Sequence, residues 1–363
     1  HRGADAFSRA LRQTARRKTS SRYHGQNNVK NRHPSGKRIP PRGDKIRRSK
    51  IIKIMRYGAK KFNIRYNANF TSITKDSDTR VWFAMPTNSE YQRINKIKIS
   101  PKPHSIYNDN QGNKILFFEF NGNKYFNLQV DMDITLSRRK IVLKKKDNLV
   151  PASISKYLKK FIKREKFLEQ TTQIKKTTFN ITKDKKNDLE KIIGIFEFVV
   201  KNFKYCYPVK KRGVKYLNFK NLKGDCGEYA SVFVTMCRIL KIPARNNTGF
   251  VIFPRQKKVV EHGWASVYLK KYGWVDFDPQ YASLEKNYQK SIEKFFGQRN
   301  DYRISFVNGF NIPIKPKILS GSNLDFWKKV YLPISNNSVQ ILQPVFFTSK
   351  EKIKFNEKIE ILK

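Results

Sequence analysis

Hydrophobic and polar positions follow successive patterns along this 363-residue chain. Between about residues 60 and 145, aromatic and β-branched residues form short runs separated by turns, as in NIRYNANF, VWFAMP, INKIKIS, KILFFEF and KYFNLQVDMDITL. This pattern is typical of antiparallel sheet, and Gly112 and Gly122 mark tight turns within it. We therefore predict a β-rich domain over residues 56–150, built as a sandwich or a barrel.

Helical periodicity replaces this pattern in the second half of the chain. A polar, lysine-rich connector over residues 151–185 comes first, and apolar residues then recur at helical spacing over 189–203 and 230–240. The second helix is expected to begin after Asp225, a good N-cap, with Glu228 placed to complete a capping box. Each helix is expected to bury one apolar face.

A predicted hairpin follows the two helices. WASVYL and WVDFD have the composition of strands, and the residues from Lys270 to Gly273 form the turn between them. His262 precedes the first strand and Asp278 follows the second. Antiparallel pairing would therefore make these two side chains neighbours across the hairpin. Asp276 lies on the same side of its strand as Asp278, so geometry alone leaves either carboxylate as the partner of His262.

Net charge adds a possible class of partner. The chain carries 77 basic and 28 acidic side chains, which give a formal charge of +49 and make an acidic partner plausible, although a lysine-rich surface can also be simply solvated. Residues 1–50 hold 11 Arg and 5 Lys, an arginine preference that the rest of the chain reverses. We interpret residues 1–55 as a disordered basic extension, either an arm for nucleic acid or another anionic surface, or a dispensable tail.

The three cysteines suit thiol chemistry better than a disulfide framework or a zinc site. Cys226 falls in the first turn of a predicted helix, where the helix dipole is expected to lower the thiol pKa. Cys237 lies on the apolar stripe of the same helix, and Cys206 has no base nearby, so both are interpreted as structural. Outside the basic extension the histidines are His104 and His262, and only His262 has candidate partners.

The segments GDCGEYA, IPAR and HGWASVYLKKYGWVDFDP resemble the signature blocks of the transglutaminase-like superfamily. The resemblance covers about residues 189–282 and implies an α+β, papain-like core, in which a central helix carrying the cysteine packs on an antiparallel sheet. It also implies a catalytic triad of Cys226, His262 and Asp278, and it decides for Asp278 over Asp276. Gly263 stands where the family more often has alanine. The core is predicted over residues 186–300, followed by a β-rich extension over 301–363.

The function expected from this resemblance is acyl transfer at an amide, with a protein or peptide as substrate and no cofactor or metal. Hydrolysis is favoured over cross-linking. The backbone N–H of Cys226 is expected to stabilise the oxyanion, with Tyr205 or Tyr207 as possible assistants. The competing hypothesis is a non-catalytic binding module whose basic surface holds an acidic partner. No transmembrane or signal segment is visible, which favours the cytoplasm, but the chain begins with His1 and its start can be missing.

Overall fold

The computed structural model describes residues 55–72, 79–120, 125–141, 153–207, 211–316, 345–348 and 353–362, with residues 143, 149, 151, 209, 338 and 339. All of them belong to one of the two units into which the chain divides, residues 54–363. Almost all of the predicted basic extension over residues 1–55 lies outside the described residues, as does the predicted turn at Gly122.

The β-rich region is present as predicted. Its strands are β1 (Met55–Ser72), β2 (Thr79–Met85), β3 (Gln92–Ser100), β4 (Ser105–Asn108), β5 (Lys114–Phe120) and β6 (Tyr125–Lys140). Strands β3, β6 and β1 lie in one antiparallel sheet, and β2, β5 and β4 lie in another. Apolar residues from both sheets share one core, which includes Ile64, Trp82, Phe118 and Ile134. The alternation of apolar and polar residues therefore places one face of each sheet in a common interior.

Among its described residues, the second half contains five α-helices: α1 (Thr172–Thr182), α2 (Asp188–Asn202), α3 (Cys226–Ile239), α4 (Pro279–Ser283) and α5 (Tyr288–Phe295). Short 3₁₀ helices cover Leu158–Ile162, Val214–Tyr216 and Pro254–Gln256. Helix α3 is buried along most of its length, from Glu228 to Arg238. Its apolar residues share a core with those of α2 and of the strands that follow, including Phe196, Phe233, Val267 and Phe277.

The strands of this half are β7 (Phe203–Tyr205), β8 (Leu222–Gly224), β9 (Ala244–Phe253), β10 (Lys258–Leu269), β11 (Gly273–Phe277), β12 (Gln298–Arg299) and β13 (Arg303–Asn308). Four of them form an antiparallel sheet in the order β11, β10, β9, β13, on which α3 packs. The predicted hairpin is β10 and β11, which pair from Ala265 opposite Phe277 to Leu269 opposite Gly273. His262 lies inside β10 and not before it, because pairing with β9 extends the strand.

The last strands are β14 (Ile312–Pro313), β15 (Ser338–Val339), β16 (Val345–Thr348) and β17 (Ile353–Leu362). Strand β17 pairs with β1 over ten residues, and β16 pairs with β2. The C-terminal strands thus extend the two sheets of the β-rich region. The result is the expected α+β fold, with a papain-like helix-on-sheet core after a β-rich region, while the predicted domain boundaries remain predictions.

Candidate active site

Cys226 is the first residue of α3, and its side chain is half-buried. Asp225 caps this helix, because its side chain accepts a hydrogen bond from the Gly227 N–H at 2.8 Å. The Gly263 N–H on β10 donates to the Cys226 sulfur at 3.3 Å. Since Gly263 directly follows His262, this contact brings the thiol next to the part of β10 that carries the histidine.

A charge cluster surrounds the helix start. Arg212 donates to Asp225 at 2.6 Å and to Glu228 at 3.0 Å. Burial and the neighbouring carboxylate of Asp225 raise the pKa of Glu228 to about 8. Although burial acts in the opposite direction, hydrogen bonds from Arg212 and Glu228 leave the pKa of Asp225 below its usual value. The Glu228 side chain therefore bonds to Arg212. Of the predicted capping box, the structure shows the hydrogen bond to the Asp225 side chain and not the return bond from Glu228.

The prediction that the helix start lowers the Cys226 pKa is wrong, because the net shift of this pKa is upward. Burial, followed by the negative charge of Asp225, raises the pKa of this thiol. The Gly263 N–H and the Arg212 guanidinium act in the opposite direction but do not reverse it. The helix start offers favourable partial charges, but its own N-cap is a carboxylate. A thiol whose pKa is raised needs a base before it can act as a nucleophile.

His262 and Asp278 lie in contact. The Nε2 atom of His262 is 2.7 Å from Oδ2 of Asp278, and both side chains are buried. Because a carboxylate only accepts hydrogen bonds, Nε2 carries the proton in this pair. The lone pair of the neutral ring is then on Nδ1, which is the nitrogen free to accept a proton from a thiol.

Two further groups hold the Asp278 carboxylate. Arg303 on β13 donates to Oδ2 at 2.6 Å, and the Tyr281 N–H at the start of α4 donates to Oδ1 at 3.0 Å. Burial alone would raise the pKa of Asp278, but the charges of His262 and Arg303 hold it below its usual value. The other carboxylate that geometry allowed, Asp276, instead accepts hydrogen bonds from Ser266 at 2.7 Å and Arg299 at 2.8 Å.

Aromatic rings fix the imidazole plane. The ring of Tyr281 stacks on His262 with centroids 4.0 Å apart, and Trp264 lies parallel to it at 6.2 Å. Trp264 is completely buried and lies under the Arg303 guanidinium, so it serves the core and not a substrate. Trp274 contacts Phe161 and the guanidinium of Arg245.

The remaining candidates lie apart from this arrangement or at its edge. His104 belongs to the β-rich region, where its Nδ1 accepts a hydrogen bond from the Glu119 N–H. Cys206 is exposed and Cys237 is buried. Tyr205 is half-exposed, and burial followed by the charge of Cys226 raises its pKa. Tyr205 therefore stays a candidate for assisting the oxyanion, as the sequence suggested.

Three residues that contact the candidate site were not predicted from the sequence: Arg212, Arg303 and Tyr281. Arg212 lies 13 residues before Asp225, and Arg303 lies 25 residues after Asp278. Neither belongs to a motif or a periodic stripe, so only the folded chain reveals them. The contact with Tyr281 could have been predicted. Asp278 followed by Pro279 is typical of a helix start, in which the N-cap side chain accepts a hydrogen bond from the N–H of the third helical residue.

Comparisons with known proteins agree with this fold. Residues 175–279 match the model of the transglutaminase-like superfamily, so this part of the chain carries a transglutaminase-like domain. An uncharacterized protein of Haemophilus influenzae is 27% identical over 248 residues, which cover 59% of this chain and 67% of that protein.

Similar solved structures were also found. One is described as a candidate cysteine protease of Cytophaga hutchinsonii; it is 13% identical with a TM-score of 0.54, over 85% of this chain and 93% of that chain. The periplasmic domain of TgpA from Pseudomonas aeruginosa, bound to ethylmercury, is 12% identical with a TM-score of 0.34, over 62% of this chain and 78% of that chain. Only the first similarity bears on the fold.

The described residues contain no group of three or more His, Cys, Asp or Glu side chains arranged to hold a metal ion. Among the helices that the structure describes, none has the length and apolar character needed to span a membrane.

Proposed function

We propose that this protein is a cysteine-dependent amide hydrolase in which Cys226 is the nucleophile, His262 the base and Asp278 the residue that orients the base. The observation that carries this proposal is the buried 2.7 Å contact between His262 and Asp278, next to a cysteine at a helix start. A nucleophile, a base and an orienting carboxylate on converging elements form the arrangement that acyl transfer requires. The transglutaminase-like domain over residues 175–279 supports the same assignment.

The proposed reaction begins from a neutral thiol. His262 Nδ1 takes the Cys226 proton as sulfur bonds to the amide carbonyl carbon, which gives a tetrahedral intermediate. The backbone N–H of Cys226 has no acceptor within the helix at this position and can donate to the oxyanion. The imidazolium then gives its proton to the departing amine, the C–N bond breaks, and a thioester on Cys226 remains. His262 then takes a proton from a water molecule as the water oxygen bonds to the thioester carbonyl carbon. The C–S bond breaks, the acid leaves, and the imidazolium returns the proton to the Cys226 sulfur.

A raised thiol pKa makes general-base catalysis the preferred route over a preformed thiolate. Burial and Asp225 stabilise the protonated thiol before substrate binds. Proton transfer and attack are then linked, and the rate depends on neutral His262.

The acceptor decides between hydrolysis and cross-linking, because water and a lysine amine would use the same thioester. Hydrolysis is our choice, and the description of the similar Cytophaga hutchinsonii structure as a candidate cysteine protease supports it. The test incubates the protein with casein in the presence of a fluorescent amine. New casein N-termini would indicate hydrolysis, and amine attached to glutamine side chains would indicate transfer.

The Cys226→Ser and His262→Ala variants should lose both products, whereas His104→Ala, a change in the β-rich region, should keep them. If none of the proteins modifies casein and wild-type protein also forms no thioester with small activated amides, the enzyme proposal fails. The non-catalytic hypothesis, which the charge of +49 motivates, would then become the account to pursue.

A further inference from the structure

A groove lies beside the start of α3, on the side of β7 and β8. Its volume is about 570 Å³, within the roughly 300–1,000 Å³ typical of ligand pockets. The residues that line it are Cys206, Val209, Lys211, Tyr216, Leu217, Lys223 and Gly224. None of these side chains takes part in the chemistry proposed for Cys226, His262 and Asp278.

The lining of the groove includes a residue close in sequence to the proposed nucleophile. Gly224 lines it and is separated from Cys226 by Asp225 alone. Strands β7 and β8 pair with Tyr205 opposite Gly224, and the Cys206 N–H donates to the Gly224 carbonyl at 2.9 Å. A chain that occupies the groove would therefore lie against the strand pair that leads into α3.

Positive charge without a carboxylate partner lines the rim. Lys211 and Lys223 are exposed, and in the part of the chain that the structure describes neither forms an ion pair. The ammonium of Lys215 lies 4.9 Å from the centre of the Tyr216 ring, and that of Lys211 lies 5.6 Å from it. The two acidic side chains at the start of α3, the N-cap Asp225 and Glu228, are bonded to Arg212. The rim is thus ready to accept an anionic group.

The floor of the groove is apolar. Val209 and Leu217 are partly exposed, and the Tyr216 ring is 51% exposed. If a bound peptide places an apolar side chain on this floor, the residues on either side of it in the peptide lie close to Lys211 and Lys223. An occupant that suits both features has an apolar residue flanked by carboxylates.

We propose that this groove binds an acidic segment of a peptide substrate, with an apolar side chain on Val209 and Leu217 and carboxylates at Lys211 and Lys223. The description of the bound peptide as a substrate rests on the proposed amide hydrolysis. Its binding step can be measured without that chemistry, because Cys226→Ala protein would hold a peptide uncut.

The test uses Cys226→Ala protein and a fluorescent peptide that alternates glutamate and leucine, compared with the same peptide carrying glutamine in place of glutamate. Exposed charge contacts are modest, so we expect the acidic peptide to bind about tenfold more tightly at low salt. Cys206 lines the groove and reports its occupancy, because a bound peptide should slow alkylation of this thiol by iodoacetamide.

A matched pair of variants locates the charge effect. Lys211→Glu with Lys223→Glu should abolish the preference for the acidic peptide. Lys175→Glu with Lys176→Glu makes the same change in net charge at exposed positions on α1, outside the groove, and should keep the preference. Equal binding of both peptides, an equal loss in both variants, or unprotected Cys206 with the acidic peptide bound would each overturn the proposal.

Wild-type protein separates this inference from the proposed function. Selective binding with protection of Cys206 but no cleavage would keep the groove assignment and reject the hydrolase. Cleavage of the glutamine peptide at the same kcat/KM as the acidic one would keep the hydrolase and reject the groove assignment.

Discussion

Asp278 is the residue on which the contacts of the proposed site converge. Its carboxylate accepts hydrogen bonds from His262, Arg303 and the Tyr281 N–H. A buried carboxylate is costly unless it is paired, and here two cationic or potentially cationic side chains pair with it. In the proposed mechanism Arg303 therefore has the role of a positioning residue, which acts through Asp278.

Replacing Arg303 with methionine should lower kcat/KM by about 10–100-fold, by analogy with the loss of a residue that orients a metal ligand. It should also move the acid limb of the pH–rate profile to higher pH. Arg303 helps to hold the pKa of Asp278 low, so without it this carboxylate takes up its proton at a higher pH and stops orienting His262.

Stability measurements should accompany the kinetics, because removing one partner of a buried ion pair costs about 3–5 kcal/mol. Arg303→Lys, which keeps a positive charge, should restore part of the shift in the acid limb. An unchanged acid limb in Arg303→Met would mean that the arginine is only structural.

Glu228→Gln should alter the pH dependence of stability. The folded-state pKa of Glu228 is about 8, above its ordinary 4.5, so the folded chain holds a proton that the unfolded chain releases. Its contribution to stability is present below pH 4.5 and declines as the pH rises towards 8. Glutamine cannot ionise, so the variant should gain stability relative to wild type between pH 5 and 8.

Urea unfolding at several pH values would measure this difference, with the exposed Glu293→Gln as control. A constant difference between Glu228→Gln and wild type across the range would contradict the assignment of a raised pKa.

Sequence motifs predicted the positions of the proposed triad but not the charges that surround it. Cys226, His262 and Asp278 each lie in a recognisable block with a helix start or a strand beside it. The raised thiol pKa depends on burial, which no local pattern reports, and on Asp225, which was recognised as a cap but not as a charge next to sulfur. Arg212 and Arg303 reach the site from segments without a motif.

Two glycines of the central sheet differ sharply in the space around them. A Cβ added at Gly249 on β9 would lie 1.8 Å from the Ile304 carbonyl oxygen on β13. At Gly263 on β10, the nearest atoms to an added Cβ are 3.6 Å away, in Gly227. The first glycine therefore permits close pairing of β9 with β13, whereas the second has room for a methyl group.

Gly249→Ala should destabilise the protein by about 3 kcal/mol, since a backbone carbonyl has to move. Gly263→Ala should change stability by less than about 1 kcal/mol and should keep the alkylation rate of Cys226. Thermal unfolding of both variants measures the contrast. Equal stability of the two variants would show that the β9–β13 contact is looser than described.

The elements themselves were largely predictable, because their periods are local. The apolar stripe predicted α3, and the turn before Gly273 predicted the β10–β11 hairpin, in which Gly273 adopts a positive φ of 67°. Pairing between distant strands was not predictable. Gln298 and Arg299 pair with β6, and β13 joins β9, through contacts that no short sequence pattern encodes.

At the scale of the whole molecule, the C-terminal strands support the β-rich region. Strand β17 pairs with β1 from Ser72 opposite Ile353 to Asn63 opposite Leu362. The buried Tyr66 hydroxyl donates to Glu357 at 2.7 Å, and Ile359 and Ile361 pack against the core. The purpose of the final residues, which the sequence left unexplained, is thus partly to cover β1.

A chain ending at residue 352 should unfold roughly 5–10 °C lower than one that lacks only Lys363. It should also aggregate more readily, because the loss of β17 leaves a long edge on β1. Differential scanning calorimetry and light scattering measure the two effects. An unchanged melting temperature would show that β17 contributes little to the fold.

The reactivity of the three cysteines provides the most direct test of the proposed Cys226–His262 pair. Burial and Asp225 raise the pKa of Cys226, so without a base this half-buried thiol should react with iodoacetamide more slowly than the exposed Cys206. Mass mapping after brief alkylation at neutral pH follows Cys206, Cys226 and Cys237 separately in one molecule.

We predict that Cys226 reacts ahead of Cys206 in the wild-type protein and in His104→Ala, and falls behind it in His262→Ala. The buried Cys237 should stay unmodified throughout. If Cys226 lags behind Cys206 in the wild-type protein, or if removal of His262 leaves their order unchanged, His262 does not activate the thiol and the proposed mechanism is wrong.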